Sequence, residues 1–163
     1  MLFDCALYNM LSMETKSAKT KQVPQLDDQL CFALYSTSLA MTKLYRKLLR
    51  GLGITYSQYL VMMVLWQQND VTVSDIGERL FLDSATLTPL LKRMEAQDLI
   101  TRVRATNDER QVIISLTKAG NTLRKQAAEL PDSVLCAIEC TPAQAIGMKA
   151  QLAVLRALLA KNA

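Results

Sequence analysis

The sequence predicts a mainly helical fold in which a helix-turn-helix leads into a charged β-hairpin, with long helices flanking that unit on both sides. Three observations carry this expectation. Residues 81–116 read FLDSATLTPLLKRMEAQDLITRVRATNDERQVIISL, a helical stretch followed by two β-branched runs around a polar loop. Within 83–97, Leu87, Leu90, Leu91 and Met94 recur at helical spacing, giving one apolar stripe to bury and leaving Ser84, Thr86, Thr88, Lys92 and Arg93 on other faces. Long amphipathic segments precede and follow this block. That order is a winged helix-turn-helix, whose second helix and wing are placed to read DNA.

Residues 1–24 are expected to form a flexible extension. The run 1–12, MLFDCALYNMLS, is apolar but too short for a signal or membrane span and carries Asp4, and Met10 and Met13 are alternative starts. The polar run 14–25 reads as a disordered lead-in. A helix should follow over about 26–50, with Leu30, Leu34, Met41, Leu44 and Leu48 on its apolar face, ending at Gly51-Leu52-Gly53. Thr55 caps a second helix, 56–68, whose interior YLVMMVLW is apolar nearly all round and demands burial.

Thr72 and Asp75 have the spacing of reciprocal caps for a short helix over 73–80. Gly77 inside it costs about 1 kcal/mol relative to alanine, which implies close approach of a neighbouring helix. Pro89 removes one hydrogen bond from a helix beginning near Asp83. Either its first turn is kinked, or the regular helix starts near Thr88 with Pro89 in first position. Runs 99–105 and 111–116 are the hairpin strands. Leu116-Thr117 opens a helix reaching about Glu129, which Pro131 interrupts. Thr141-Pro142-Ala143-Gln144 is a capping box for a terminal helix containing Leu152, Leu155, Leu158 and Leu159. Residues 55–116 are thus expected to bind DNA. Residues 25–54 and 117–163 should form a dimerisation region, since pairing two chains buries stripes a small winged domain does not need.

The chain has 163 residues, half of them hydrophobic, enough to bury a core without disulfides or metal. Its formal charge of +4 permits nucleic-acid binding without announcing it. Clustering is more telling: Lys92, Arg93, Arg102, Arg104 and Arg110 all fall in the helix and hairpin. A run of charge is usually a solvated surface, yet here it coincides with an element order that has a docking geometry. Ser84, Thr86 and Thr88 are expected nearest base edges, with Lys92, Arg93 and Arg110 supplying phosphate or groove contacts. Asp108 is placed to hold Arg110 from two residues earlier.

Histidine is absent, which removes the commonest acid–base catalyst and the Cys2His2 zinc pattern together. Cys5, Cys31, Cys136 and Cys140 lack paired C-x-x-C spacing and suggest reduced thiols in a cytoplasmic protein with no metal and no cofactor. By spacing alone, Cys31 reads equally well as a small hydrophobe packed beside aromatics.

From Gln25 to about Ala160 the chain resembles the MarR-type winged-helix repressors, and within them the organic hydroperoxide sensors. The broad resemblance lies in Asp83-Ser84, residues 90–95, Asp108-x-Arg110 and Leu116-Thr117-x-x-Gly120; the narrower one lies in residues 29–35 (QLCFALY), 42–45 (TKLY) and 54–60 (ITYSQYL). It implies six helices, a small antiparallel sheet, a homodimer and double-stranded operator DNA as partner. It also implies that Cys31 is oxidised by organic hydroperoxide in an apolar pocket with Phe32, Trp66, Tyr35, Tyr45 and Tyr56, the last two hydrogen-bonding the thiol. Cys136 matches the resolving cysteine of members that form a disulfide between subunits, with Cys140 as substitute. Two further classes stay open on sequence: a repressor of the same build answering a small phenolic ligand, and a thiol peroxidase using Cys31.

Overall fold

A computed structural model of the chain describes residues 23–106, 108 and 110–162. Cys5, the apolar run 1–12, most of the polar lead-in, and Asn107 and Glu109 of the hairpin loop lie outside the described residues. The elements are α1 (Leu30–Leu48) with a 3-10 turn (Leu49–Leu52), α2 (Tyr56–Gln67), β1 (Val71–Thr72), α3 (Val73–Leu80), α4 (Ser84–Ala96), β2 (Ile100–Arg104), β3 (Val112–Leu116), α5 (Lys118–Gln126), α6 (Leu130–Ala137) and α7 (Pro142–Asn162). The contacts divide into two units, with the boundary between Leu39 and Ala40 inside α1. The hydrophobic core belongs to the second.

Local chemistry sets most of these boundaries. Thr55 and Gln58 form a reciprocal cap at α2, as do Thr72 and Asp75 at α3. Thr141 and Gln144 do the same before α7: Thr141 N–H donates to Gln144 Oε1 at 2.9 Å, and Gln144 N–H to Thr141 Oγ1 at 3.3 Å. Each pair satisfies amide donors that a helix start leaves free. Helix α1 begins four residues later than expected, because residues 26–29 close a separate turn through Gln29 N–H and Leu26 O at 3.1 Å. Its end tightens to 3-10 geometry before Gly53, the cap residue at φ 67°.

The structure decides one open alternative and changes one expectation. Regular helix in α4 starts at Ser84 and not at Thr88: the Asp83 carboxylate accepts Thr86 N–H at 2.6 Å and fixes the first turn. Pro89 therefore lies inside the helix, and the bond it removes is the one to Ala85 O, four residues earlier. The described residues also hold seven α-helices instead of six. Pro131 starts a helix where it was expected only to interrupt one; near the first position of α6 its missing N–H is one the helix would leave unpaired anyway.

The sheet has the order β1-β3-β2, all antiparallel, with Ile100 opposite Leu116 and Arg104 opposite Val112. Strand β1 pairs Val71 with Ile114 and Thr72 with Ile113. Above the sheet, Leu87, Leu90, Leu91 and Met94 of α4 are buried with Ile76 of α3 and Val61, Met62 and Leu65 of α2. Helices α1 and α7 bury no residue fully, and Leu30, Leu39, Ile146, Leu152, Leu158 and Leu159 remain exposed. Among the described residues no single helix is long and apolar enough to cross a membrane.

Gly77 is buried, and a methyl added there would lie 2.7 Å from Leu82 O and 3.3 Å from Leu87 Cδ1, whereas at Gly147 in α7 it would meet nothing within 4 Å. Gly77→Ala should therefore lose about 1–3 kcal/mol from overpacking, while Gly147→Ala should gain about 0.5–1 kcal/mol from helix preference. Urea unfolding midpoints at constant slope measure both. Shifts of the same sign would show that close approach is not why Gly77 is needed.

Candidate DNA-reading face and thiol sites

Burial of the α4 stripe turns the rest of that helix outward. Ser84, Thr86, Lys92 and Arg93 are exposed, and Thr88 is half-buried. The Thr88 hydroxyl donates to Ser84 O at 2.7 Å, so it faces outward groups as an acceptor. Ser84 and Thr88 share a cleft of about 230 Å³ with Thr72 and Ser74 at the start of α3 and with Arg102, Arg110 and Gln111 of the hairpin. The structure thus brings the start of the reading helix and the wing to one polar concavity.

In the wing, Arg110 is exposed, and its link to Asp108 runs through the backbone: Arg110 N–H donates to Asp108 Oδ1 at 3.1 Å. The other carboxylate oxygen accepts Gln111 Nε2 at 3.3 Å, and Gln111 N–H donates to Asp108 O at 2.9 Å. Asp108 therefore shapes the turn. Arg110 keeps its guanidinium outward.

Sequence reasoning named Arg102 only as part of the basic cluster and gave no role to Gln58 or Tyr59. Arg102 pairs with Glu95 at the end of α4 through a 3.4 Å contact, and its Nε is enclosed with no partner. Arg102 also lines the polar cleft. Gln58 is buried and fully engaged, accepting Thr55 N–H and donating to Gln97 Oε1 at 2.7 Å, which anchors the start of α2 to the end of α4. Tyr59 is the third. It follows Tyr56 by three positions, the one signal that could have placed both on one face.

Tyr45 and Tyr56 stack with ring centroids 4.3 Å apart, Tyr59 lies 5.7 Å from Tyr45, and Trp66 meets Tyr59 edge-on at 6.1 Å. Trp66 Nε1 donates to Gly120 O at 3.1 Å, fastening α2 to α5. Of the expected sensing residues, the structure brings Tyr45, Tyr56 and Trp66 into one aromatic ladder. Cys31, Phe32 and Tyr35 occupy the first two turns of α1, where Cys31 and Tyr35 are exposed and Phe32 is half-buried. Cys31, Cys136 and Cys140 are free thiols; Cys136 is exposed near the end of α6, and Cys140 is half-buried in the turn after it. No group of three or more metal-ligating side chains occurs among the described residues.

The exposed ring of Phe81 occupies the turn between α3 and α4 at φ 57°. Arg156 of α7 sits over it, 4.3 Å from the centroid.

Comparison with known proteins places this geometry. A family described as transcriptional regulator SarA/Rot matches residues 43–127. The organic hydroperoxide resistance transcriptional regulator of Bacillus subtilis strain 168 is 53% identical over 111 residues, covering 68% of this chain and 76% of that protein. The regulator TtmR of Methylorubrum extorquens strain PA1 is 51% identical over 109 residues, 67% of this chain, which spans 56% of TtmR. Reduced AbfR bound to DNA, from a protein of Staphylococcus epidermidis, superposes with TM-score 0.69 at 38% identity over 82% of this chain and 93% of that one. Disulfide-formed AbfR fits less well, TM-score 0.54 at 42% identity over 80% and 91%.

The aromatic ladder has a consequence in alkali. Burial, and after it the neighbouring Tyr56 and Tyr59, push the Tyr45 phenol up to about 12. Burial also raises Tyr56, and burial followed by Tyr56 raises Tyr59. Because the folded state prefers the neutral phenol, the stability this preference adds is complete below the ordinary tyrosine value of about 10 and is lost as pH rises from there toward about 12. Tyr45→Phe should remove the highest-pH tyrosinate absorbance step and flatten the alkaline fall of the urea midpoint. Retention of both features in the variant would show that Tyr45 is not the late-titrating group.

Proposed function

The chain belongs to the MarR family of winged helix-turn-helix transcriptional regulators, in the group of the organic hydroperoxide regulators, and from that premise we propose that it is a homodimeric repressor which binds operator DNA when reduced and leaves it when Cys31 is oxidised. The observation that carries the reading is the set of free thiols, with Cys31 and Cys136 both exposed, in a chain of that group. Its matched relatives are regulators and not enzymes. A thiol peroxidase would leave the cleft of Ser84, Thr88 and Arg110 without a role.

In the reduced dimer, two copies of α4 lie roughly 34 Å apart, one helical repeat of double-stranded DNA. Residues 55–116 make the DNA-binding part, with Ser84, Thr86 and Thr88 toward base edges and Lys92, Arg93 and Arg110 toward phosphates or the minor groove. Residues 25–54 and 117–163 make the dimerisation region, which is supported by the unburied apolar residues of α1 and α7. The setting is the cytoplasm.

The oxidant is an organic hydroperoxide. The Cys31 thiolate attacks its terminal oxygen, the O–O bond breaks, and sulfenic acid forms as the alkoxide takes a proton and leaves as alcohol. The resemblance assigns Phe32, Tyr35, Tyr45, Tyr56 and Trp66 to sensing, with the Tyr45 and Tyr56 phenols as donors to the sulfur. Cys136 of the partner then attacks the sulfenic sulfur; the S–O bond breaks, an S–S bond forms, and water departs. A disulfide needs Cα atoms within about 7 Å, so the bond draws α1 of one chain to α6 of the other and rotates the winged regions off the operator.

Cys31→Ser should keep operator affinity in a gel shift and stay bound after cumene hydroperoxide, since the nucleophile is gone and the reduced fold remains. Release of that variant by peroxide would remove Cys31 from the mechanism. Oxidised wild type should run as a crosslinked dimer without reductant, and Cys136→Ser should abolish that band; a band lost only in Cys140→Ser would transfer the resolving role.

Arg110→Ala should weaken operator binding by about 1–3 kcal/mol and reduce the slope of log K against log salt by about 0.9 if the contact is to phosphate. Unchanged affinity and slope in an intact dimer would show that the wing does not touch DNA.

A further inference from the structure

The end of α6 carries two of the three described thiols, and the mechanism above uses one of them. Ile138 N–H donates to Val134 O at 3.0 Å, Glu139 N–H to Cys136 O at 3.1 Å, and Cys140 N–H reaches back five residues to Leu135 O at 3.2 Å. Glu139 supplies the left-handed residue this requires, at φ 53°. This is the reversed end that commonly terminates a helix. It keeps Cys140 one turn from Cys136 and prevents the chain from leaving in an extended direction.

Side chains one helical turn apart have Cβ atoms about 5–6 Å apart, and a disulfide needs about 3.5–4.5 Å, so closing the bond requires this turn to tighten. Cys136, Ala137 and Glu139 are exposed, so the turn has little packing to lose as the two sulfurs align. Attack within one short loop also has a high effective concentration that no thiol from outside matches.

We infer that Cys136 and Cys140 of the same chain form a dithiol pair, and that Cys140 closes an intrachain disulfide by attacking Cys136 in the interchain bond. The inference rests on the reading of Cys31 and Cys136 above for the bond that is attacked. The Cys140 thiol gives its proton to solvent, its sulfur bonds to Cys136 sulfur, the Cys31–Cys136 bond breaks, and the electron pair leaves on Cys31 as thiolate. No oxidant is needed beyond the hydroperoxide already consumed. The product has two separable chains, a restored Cys31 thiol and the oxidising equivalents stored in α6. DNA binding returns before any outside reductant acts. The resolver, however, is spent, and a second hydroperoxide leaves Cys31 as sulfenic acid open to further oxidation.

The pair is tested first without Cys31. The full-length Cys31→Ser chain is equilibrated with oxidised dithiothreitol, quenched in acid, alkylated in denaturant and cut with trypsin, which releases residues 126–149 as one peptide holding both cysteines. That peptide should lack two hydrogens and carry no alkyl group. Two alkylated cysteines would overturn the inference whatever Cys31 does. Next, wild type receives one equivalent of cumene hydroperoxide per chain. Its crosslinked dimer should rise and then decay to monomer with Cys31 alkylatable, while Cys140→Ser stops at the dimer. A wild-type dimer as long-lived as that of the variant would overturn the exchange. A dimer absent from both would sink the interchain reading of Cys31, leaving the intrachain pair decided by the first experiment.

Discussion

Everything on the reading face follows from burial of one stripe, Leu87, Leu90, Leu91 and Met94, against α2, α3 and the sheet. A helix with four fully apolar contacts on one side has no freedom to rotate, because each large side chain removed from the core costs about 2–5 kcal/mol. Orientation of the polar side is therefore a by-product of the core. Gly77 lets Leu82 O and Leu87 approach closely, and Gln58 joined to Gln97 fixes the far end. Arg102 continues the same logic into the wing, since its contact with Glu95 ties β2 to the last turn of α4. An ion pair this exposed on the glutamate side adds little stability but sets a direction.

The second organising feature is aromatic. Tyr45 belongs to the closing turns of α1, Tyr56 and Tyr59 to α2, and Trp66 reaches α5 through Gly120 O, so one ladder connects three helices. Stacked and edge-on rings add about 0.5–1.5 kcal/mol each beyond the area they bury. Three phenols this close, all with raised titration, form a weakly polar environment that holds hydroxyl donors without charge.

What the sequence made legible was local. Three caps, the α4 stripe, the hairpin and the close approach at Gly77 are all written within a few residues of where they act. What it hid depends on distant partners. Strand β1 is two residues long and exists only because β3 offers Ile113 and Ile114. Helix α6 was obscured by reading Pro131 as a break, although proline at a helix start is favourable. Arg102 looked like one more surface cation because Glu95, its partner, is seven positions away on another element. Ser84, Thr86, Lys92 and Arg93 could be placed on the outward side of α4 from periodicity, and Arg110 in the hairpin loop from the polar run between the two strands. The roles of Asp108, Gln58 and Tyr59 needed coordinates.

The terminal helix makes the last connection. α7 opens directly after the cysteine turn, at the Thr141 cap, and near its other end Arg156 lies over Phe81 in the turn before α4. Phe81 is a bulky residue in left-handed backbone, a conformation that costs free energy unless its surroundings hold it. A cation over an exposed ring contributes only about 0.5–1 kcal/mol. So weak a contact gives way long before the buried stripe of α4 is disturbed. The Arg156–Phe81 joint is therefore the softer attachment, and α4 keeps the face that its buried stripe sets.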